Sequence, residues 1–158
     1  TPGYDAILQM MQKRADPDLL EADTARFLIQ KTGGSLRDLW SAIVDSGRRA
    51  SRRRSERIQM EDAVSALKPL QASLTRRIEE KDYAILLNIA EGDRRSVTDR
   101  ERLINLIQAG VLLEYNGERW FNVHPLVADY LEELHYVKRK GDGAGWEAGE
   151  RMTDTETA

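Results

Sequence analysis

One short stretch of this chain has the period of a β-hairpin, and nearly everything around it has the period of a helix. The stretch reads VLLEY, then Asn116-Gly117, then ERWFNV. Asn-Gly between two apolar runs favours a two-residue type I′ turn, because both residues tolerate the positive φ that this turn demands. Such a turn pairs Tyr115 with Glu118, Glu114 with Arg119, Leu113 with Trp120 and Leu112 with Phe121. Opposite charges and large apolar groups then meet across the strands, which supports the register. Ahead of the hairpin, Tyr83, Leu86, Leu87 and Ala90 form a short helix that stops at Gly92. Leu103, Ile104 and Ile107 lie on a second, closed by Gly110, with a short polar connector between the two. Behind the hairpin, Pro125 opens a helix with Leu126, Val127, Tyr130, Leu131, Leu134 and Val137 on one face.

The first half has no strand signal. Tyr4, Ile7, Leu8 and Met11 predict a helix over 4–14, interrupted by Asp16-Pro17-Asp18. Leu19, Leu20, Ala25, Leu28 and Ile29 form the buried stripe of a second, ended by Gly33-Gly34. Ser35 caps a third, with Asp38 at capping-box distance and Leu36, Leu39, Trp40, Ile43 and Val44 as its apolar face. A fourth runs from Ile58 through Leu67 with Ala63, Val64 and Leu67 inward. Pro69 is placed to end or kink it, although Leu70, Leu74 and Ile78 continue the period. The expected fold is mainly α: a four-helix part over residues 1–75, then a small α+β part with one hairpin over 76–140.

Charge separates a third segment. The net charge of −3 over 158 residues is the sum of +2 in residues 1–70, −1 in 71–140 and −4 in 141–158. The last segment, GDGAGWEAGERMTDTETA, has no apolar period to offset its ordering entropy, and disorder is expected there. Its Gly141, Gly143 and Gly145 mimic a phosphate loop, but no Gly-Lys-Ser/Thr follows them. There is no cysteine, so disulfides, thiol nucleophiles and thiolate metal sites are all excluded. No apolar run approaches the roughly 20 residues that span a bilayer, and no membrane association is expected. The chain opens on Thr1-Pro2 rather than Met, so a piece of a longer protein is expected.

Few residues are equipped for catalysis. His124 and His135 are the only histidines, eleven apart and without an HExxH pattern. The carboxylates alternate with arginines on helix faces, and no catalytic residue or metal ligand is expected. Two cationic features remain. Arg37 lies in the first turn after the Ser35 cap, where a cation opposes the helix macrodipole unless an anion docks nearby. On position alone, a balancing carboxylate such as Asp38 is the simpler reading. The other feature is the run Arg48, Arg49, Arg52, Arg53, Arg54 and Arg57. It suits a solvated face first, a protein interface second and a phosphate backbone third. In the second half Arg94, Arg95, Arg100, Arg102 and Arg119 are further interface or nucleic-acid candidates, but they are interleaved with Asp93, Asp99, Glu101, Glu114 and Glu118. That near-cancellation argues against a basic reading face.

The order helix, helix, hairpin, helix is that of a winged-helix module. FLIQKTGGSLRDLWSAIVDSGRRA, then the basic stretch, then IQMEDAVSAL, resembles the helical lid of AAA+ and related signalling P-loop ATPases. In that family a Gly-x-x-Arg-like segment opens a lid helix, and its arginine, sensor 2, contacts the ATP γ-phosphate. Gly34-Ser35-Leu36-Arg37 matches, so the resemblance implies that role for Arg37. It covers roughly residues 4–137. It implies a cytoplasmic C-terminal regulatory region whose partner is its own upstream nucleotide-binding domain, with the lid available for homo-oligomer contacts. ATP and magnesium are implied only for the longer protein, because this chain has no G-x-x-x-x-G-K-[ST] and no acid-tipped strand. The winged helix is then expected to dock protein rather than DNA. The competing expectation is a transcription-regulator fragment that binds DNA through the winged helix and dimerises through its helical part.

Overall fold

The computed structural model describes residues 2–14, 16, 18–92, 98–115, 120–140 and 146–150. Among these the protein is mainly helical, with seven α-helices and two antiparallel two-stranded sheets. It divides into two compact units, residues 1–72 and 73–158.

The first unit holds α1 (Pro2–Gln12), α2 (Ala22–Lys31), α3 (Leu36–Arg52) and all but the last three residues of α4 (Met60–Thr75). Gly33 and Gly34 take φ of 60° and 81°, a left-handed region that ends α2 at little steric cost to glycine. The Ser35 hydroxyl then accepts the Asp38 N–H at 3.4 Å and starts α3. Met11, Leu28, Leu39, Ile43, Ile58 and Leu67 lead the buried apolar set.

Three sequence expectations fail in this unit. Leu19 and Leu20 precede α2 rather than lie on it, and Leu20 forms a parallel bridge with Ile58, whose N–H reaches the Leu19 carbonyl at 2.8 Å. Ile58 is therefore extended, and its burial comes from that bridge, not from a helical stripe. Leu36, Val44 and Val64 are 45%, 50% and 42% exposed. An apolar arc that wide is more than α3 and α4 can turn inward. The continued period past Pro69 does hold, since Pro69 sits inside α4 and Leu70 and Leu74 follow it on the same helix.

The second unit runs α5 (Asp82–Ala90), α6 (Arg100–Gln108), β1 (Leu112–Tyr115), β2 (Trp120–Val123), α7 (Pro125–Glu133), β3 (Val137–Arg139) and β4 (Trp146–Ala148). Its hairpin pairs Leu112 with Val123, Leu113 with Asn122, Glu114 with Phe121 and Tyr115 with Trp120. The register is displaced by two residues from the two-residue-turn expectation, leaving residues 116–119 as the connection. Displacement by two keeps every side chain on its expected face, and it brings together Leu112 and Val123, both buried. The Asn116-Gly117 turn and Arg119 lie outside the described residues.

A second sheet was not expected. The last long helix stops at Glu133, and His135 takes φ 63° just past its end. Val137 is consequently on β3, paired with Ala148. The disorder expected over 141–158 does not hold at Trp146–Ala148. There backbone pairing to β3 and an Ala148 N–H bond to Glu91 at 3.1 Å supply what apolar period does not. Gly141, Gly143 and Gly145 lie outside the described residues.

Candidate functional site

In the first unit the candidates stand on α3 and on the segment that follows it. Arg37 is on the first turn of α3, as the cap spacing requires, and its side chain is 79% exposed. Its Nε donates to Asp38 Oδ1 at 3.2 Å, so a carboxylate does balance it. That bond uses one edge of the guanidinium. The two terminal nitrogens make no bond among the described residues and face solvent at a helix N-terminus. This geometry leaves N–H donors for one phosphate oxygen or two.

The arginine run is split by the end of α3. Arg49 pairs with Asp45 at 3.1 Å across one helical turn. Arg53, the C-cap residue, turns its fork onto Asp62, with Nε at 3.1 Å and Nη2 at 2.6 Å, and also reaches Glu61 at 3.2 Å. Arg54 stands at φ 58°, the left-handed position after the helix. Arg48, Arg52, Arg54 and Arg57 are exposed and have no ion-pair partner among the described residues. Arg94 and Arg95 lie outside the described residues.

Two buried carboxylates matter that sequence reading passed over. Asp62 is 4% exposed and accepts the Gln59 N–H at 3.0 Å besides the Arg53 fork. The Arg53 hydrogen bonds hold its carboxyl below the ordinary aspartate value, against the opposing effect of burial and with help from the Gln59 N–H. Asp82 is fully buried and takes both arms of Arg102 at 2.5 Å, with the Glu79 N–H at 2.7 Å. Burial alone would raise its pKa, but the Arg102 and Glu79 hydrogen bonds outweigh it and the carboxyl stays low. The available signal was spacing: each aspartate follows its N–H donor by three residues. Both are structural clamps, each sealed by its own arginine.

His124 is also buried, and its role is capping. Its Nδ1 accepts the Leu126 N–H at 3.2 Å at the start of α7. Among the described residues no three His, Asp or Glu side chains cluster as a metal site, and no helix is long and apolar enough to cross a membrane.

The second unit carries a groove of about 500 Å³ between α6 and the β1–β2 hairpin. Leu103, Ile104, Ile107 and Phe121 line it, with Arg100 and Glu114 as opposite charges among its lining residues. Leu103, Ile104 and Ile107 do lie on α6, as their spacing predicts. Ile104 is 52% exposed, and Leu106 is the buried member of α6. A comparison with protein-family models, with curated proteins and with solved structures finds no match to this chain.

Proposed function

We propose that the chain is a two-module regulatory region of a nucleotide-driven ATPase of the AAA+ or related signalling type. Residues 1–72 act as a helical lid, and residues 73–158 act as a winged-helix module that docks protein. Arg37 carries the reading. Asp38 balances Arg37 along one edge at 3.2 Å, and the rest of the guanidinium, 79% exposed at the start of a seventeen-residue helix, is open to an incoming phosphate. Arg37 would contact ATP phosphate, and magnesium would be held by the nucleotide-binding domain that this chain lacks. ATP supplies a charge that changes on hydrolysis, and the lid responds through Arg37.

The α6 groove favours protein over DNA as the partner of the second module. A reading helix needs cations to meet phosphates, whereas α6 offers Ile104 beside Glu101, with a single Arg100 at the groove. An apolar groove with balanced charges suits a peptide side chain. Two observations test the proposal. The coding sequence ahead of this chain is expected to contain a phosphate loop and a strand ending in acidic residues; finding neither contradicts it. In the protein carrying both parts, Arg37→Ala is expected to lower ATP turnover or nucleotide-dependent assembly about tenfold or more, and unchanged values for both remove Arg37 from the site.

A further inference from the structure

α3 is seventeen residues long but commits one side to the core, where Leu39, Ala42, Ile43, Ser46 and Ala50 are buried. A second apolar row, Leu36, Trp40 and Val44, runs beside that side at four-residue spacing. Leu36 and Val44 are about half exposed, and Trp40 is half-buried. Four residues overshoot one helical turn by about 40°, so the row winds off the core-facing side toward solvent as it advances. Its next two members are Arg48 and Arg52, both exposed and without an ion-pair partner among the described residues. The arginines that do find carboxylates, Arg49 and Arg53, stand on the neighbouring row. One ridge is thus apolar over its first half and positive over its second.

Scattered exposed apolar residues are ordinary. Three in one i, i+4 row, one of them Trp, form the kind of ridge that seats in the groove of a crossing helix. We propose that this row docks an amphipathic helix of a partner protein, with apolar residues at four-residue spacing and an acidic end. Because the row turns about 40° per step, one partner covers its middle: apolar residues pack on Trp40 and Val44 and the acidic end meets Arg48, with Leu36 and Arg52 at the two margins. Charge complementarity selects this occupant over two others. A second copy of α3 brings no free acid to the arginines, because Asp38 is buried beside Arg37 and Asp45 is bound to Arg49. A nucleic-acid backbone would satisfy the arginines but leave the apolar half of the row uncovered. The proposal does not depend on Arg37 or on nucleotide.

The test uses the intact chain and a fluorescein-labelled helical peptide about eighteen residues long, roughly 27 Å of helix, with leucines every fourth residue and glutamates at one end. A control peptide carries lysines in place of the glutamates. Anisotropy is expected to show micromolar binding of the acidic peptide only. Arg48→Glu combined with Arg52→Glu is expected to weaken it about tenfold or more and to confer binding of the lysine peptide, while Val44→Asp removes both. All three positions are exposed, so circular dichroism and the melting temperature should stay near those of the unsubstituted chain. Equal binding of the two peptides, or none, overturns the proposal. So does labelled duplex DNA that binds through Arg48 and Arg52 when the acidic peptide does not. A dimer in analytical ultracentrifugation that Val44→Asp dissolves assigns the row to a second copy and equally overturns it.

Discussion

Each unit contains one aspartate clamped by one arginine, and these clamps govern how the chain responds to substitution and to acid. Asp82 is wholly buried, and the Arg102 side chain is 16% exposed. Removing one partner strands the other charge in a poor solvent, which typically costs 3 kcal/mol or more. Asp82→Ala is therefore expected to destabilise by about 3 kcal/mol, read as a lower urea midpoint; a shift near zero would show that Glu79, 3.3 Å from Arg102, suffices alone. Both Asp62 and Asp82 have folded pKa values below the unfolded value of about 3.9. In acid the unfolded chain takes up these protons first. Their contribution is complete above about pH 5, declines through about pH 4, and is gone once the folded carboxyls protonate. The double variant Asp62→Asn, Asp82→Asn should lose stability less steeply between about pH 5 and 3, and an unchanged slope would remove the clamps from acid sensitivity. At this scale Arg37 was legible, because a serine cap two residues earlier fixes its turn. The clamps were not, because Arg102 and Asp82 lie twenty residues apart and no periodicity links them.

Elements were more legible than their ends. The apolar periods located helices in every region where α1 to α7 occur, and the Asn-Gly pair marked the hairpin. They missed the register by two residues, since a longer connection preserves the same faces. They missed β3 and β4 because Val137 fits an i+3 continuation of α7 and Trp146–Ala148 has too few apolar residues to show a period. What makes that second sheet possible is Gly149. A Cβ there would overlap the His135 carbonyl and crowd Tyr136, and the Gly149 N–H donates to the Tyr136 oxygen at 2.8 Å. Gly149→Ala should displace β4 from β3 and destabilise by about 1–3 kcal/mol, as overpacking does. Loss of amide protection confined to residues 137–139 and 146–148 would confirm the cause, and an unchanged pattern would contradict it. Pro69 offers the opposite case. Inside α4 it deletes one helical hydrogen bond, so Pro69→Ala is expected to stabilise by about 1–3 kcal/mol. A lower urea midpoint would show that the proline's restraint on the unfolded chain dominates instead.

For the molecule as a whole, the net charge of −3 misleads. The first seventy residues are positive, and four arginines without an ion-pair partner among the described residues, Arg48, Arg52, Arg54 and Arg57, stand at or just after the end of α3. The second unit has an apolar groove with opposite charges among its lining residues. The fold class was legible because helical periods dominate the chain. The groove was not, because it depends on Ile104 facing outward, which the apolar pattern of α6 does not reveal. On the proposed reading the first unit follows nucleotide through Arg37 and the second holds a protein partner, and neither performs chemistry alone. Labelled duplex is accordingly expected to bind weakly even at low salt, and submicromolar affinity with a steep salt slope would contradict the protein-docking reading. The most direct measurement is magnesium-dependent ATP turnover, compared between this chain and the longer protein with and without Arg37→Ala. No turnover by the chain and a tenfold or greater fall in the longer protein's variant is the expected result. Turnover by the chain alone, or a variant as active and as well assembled as its parent, would contradict it.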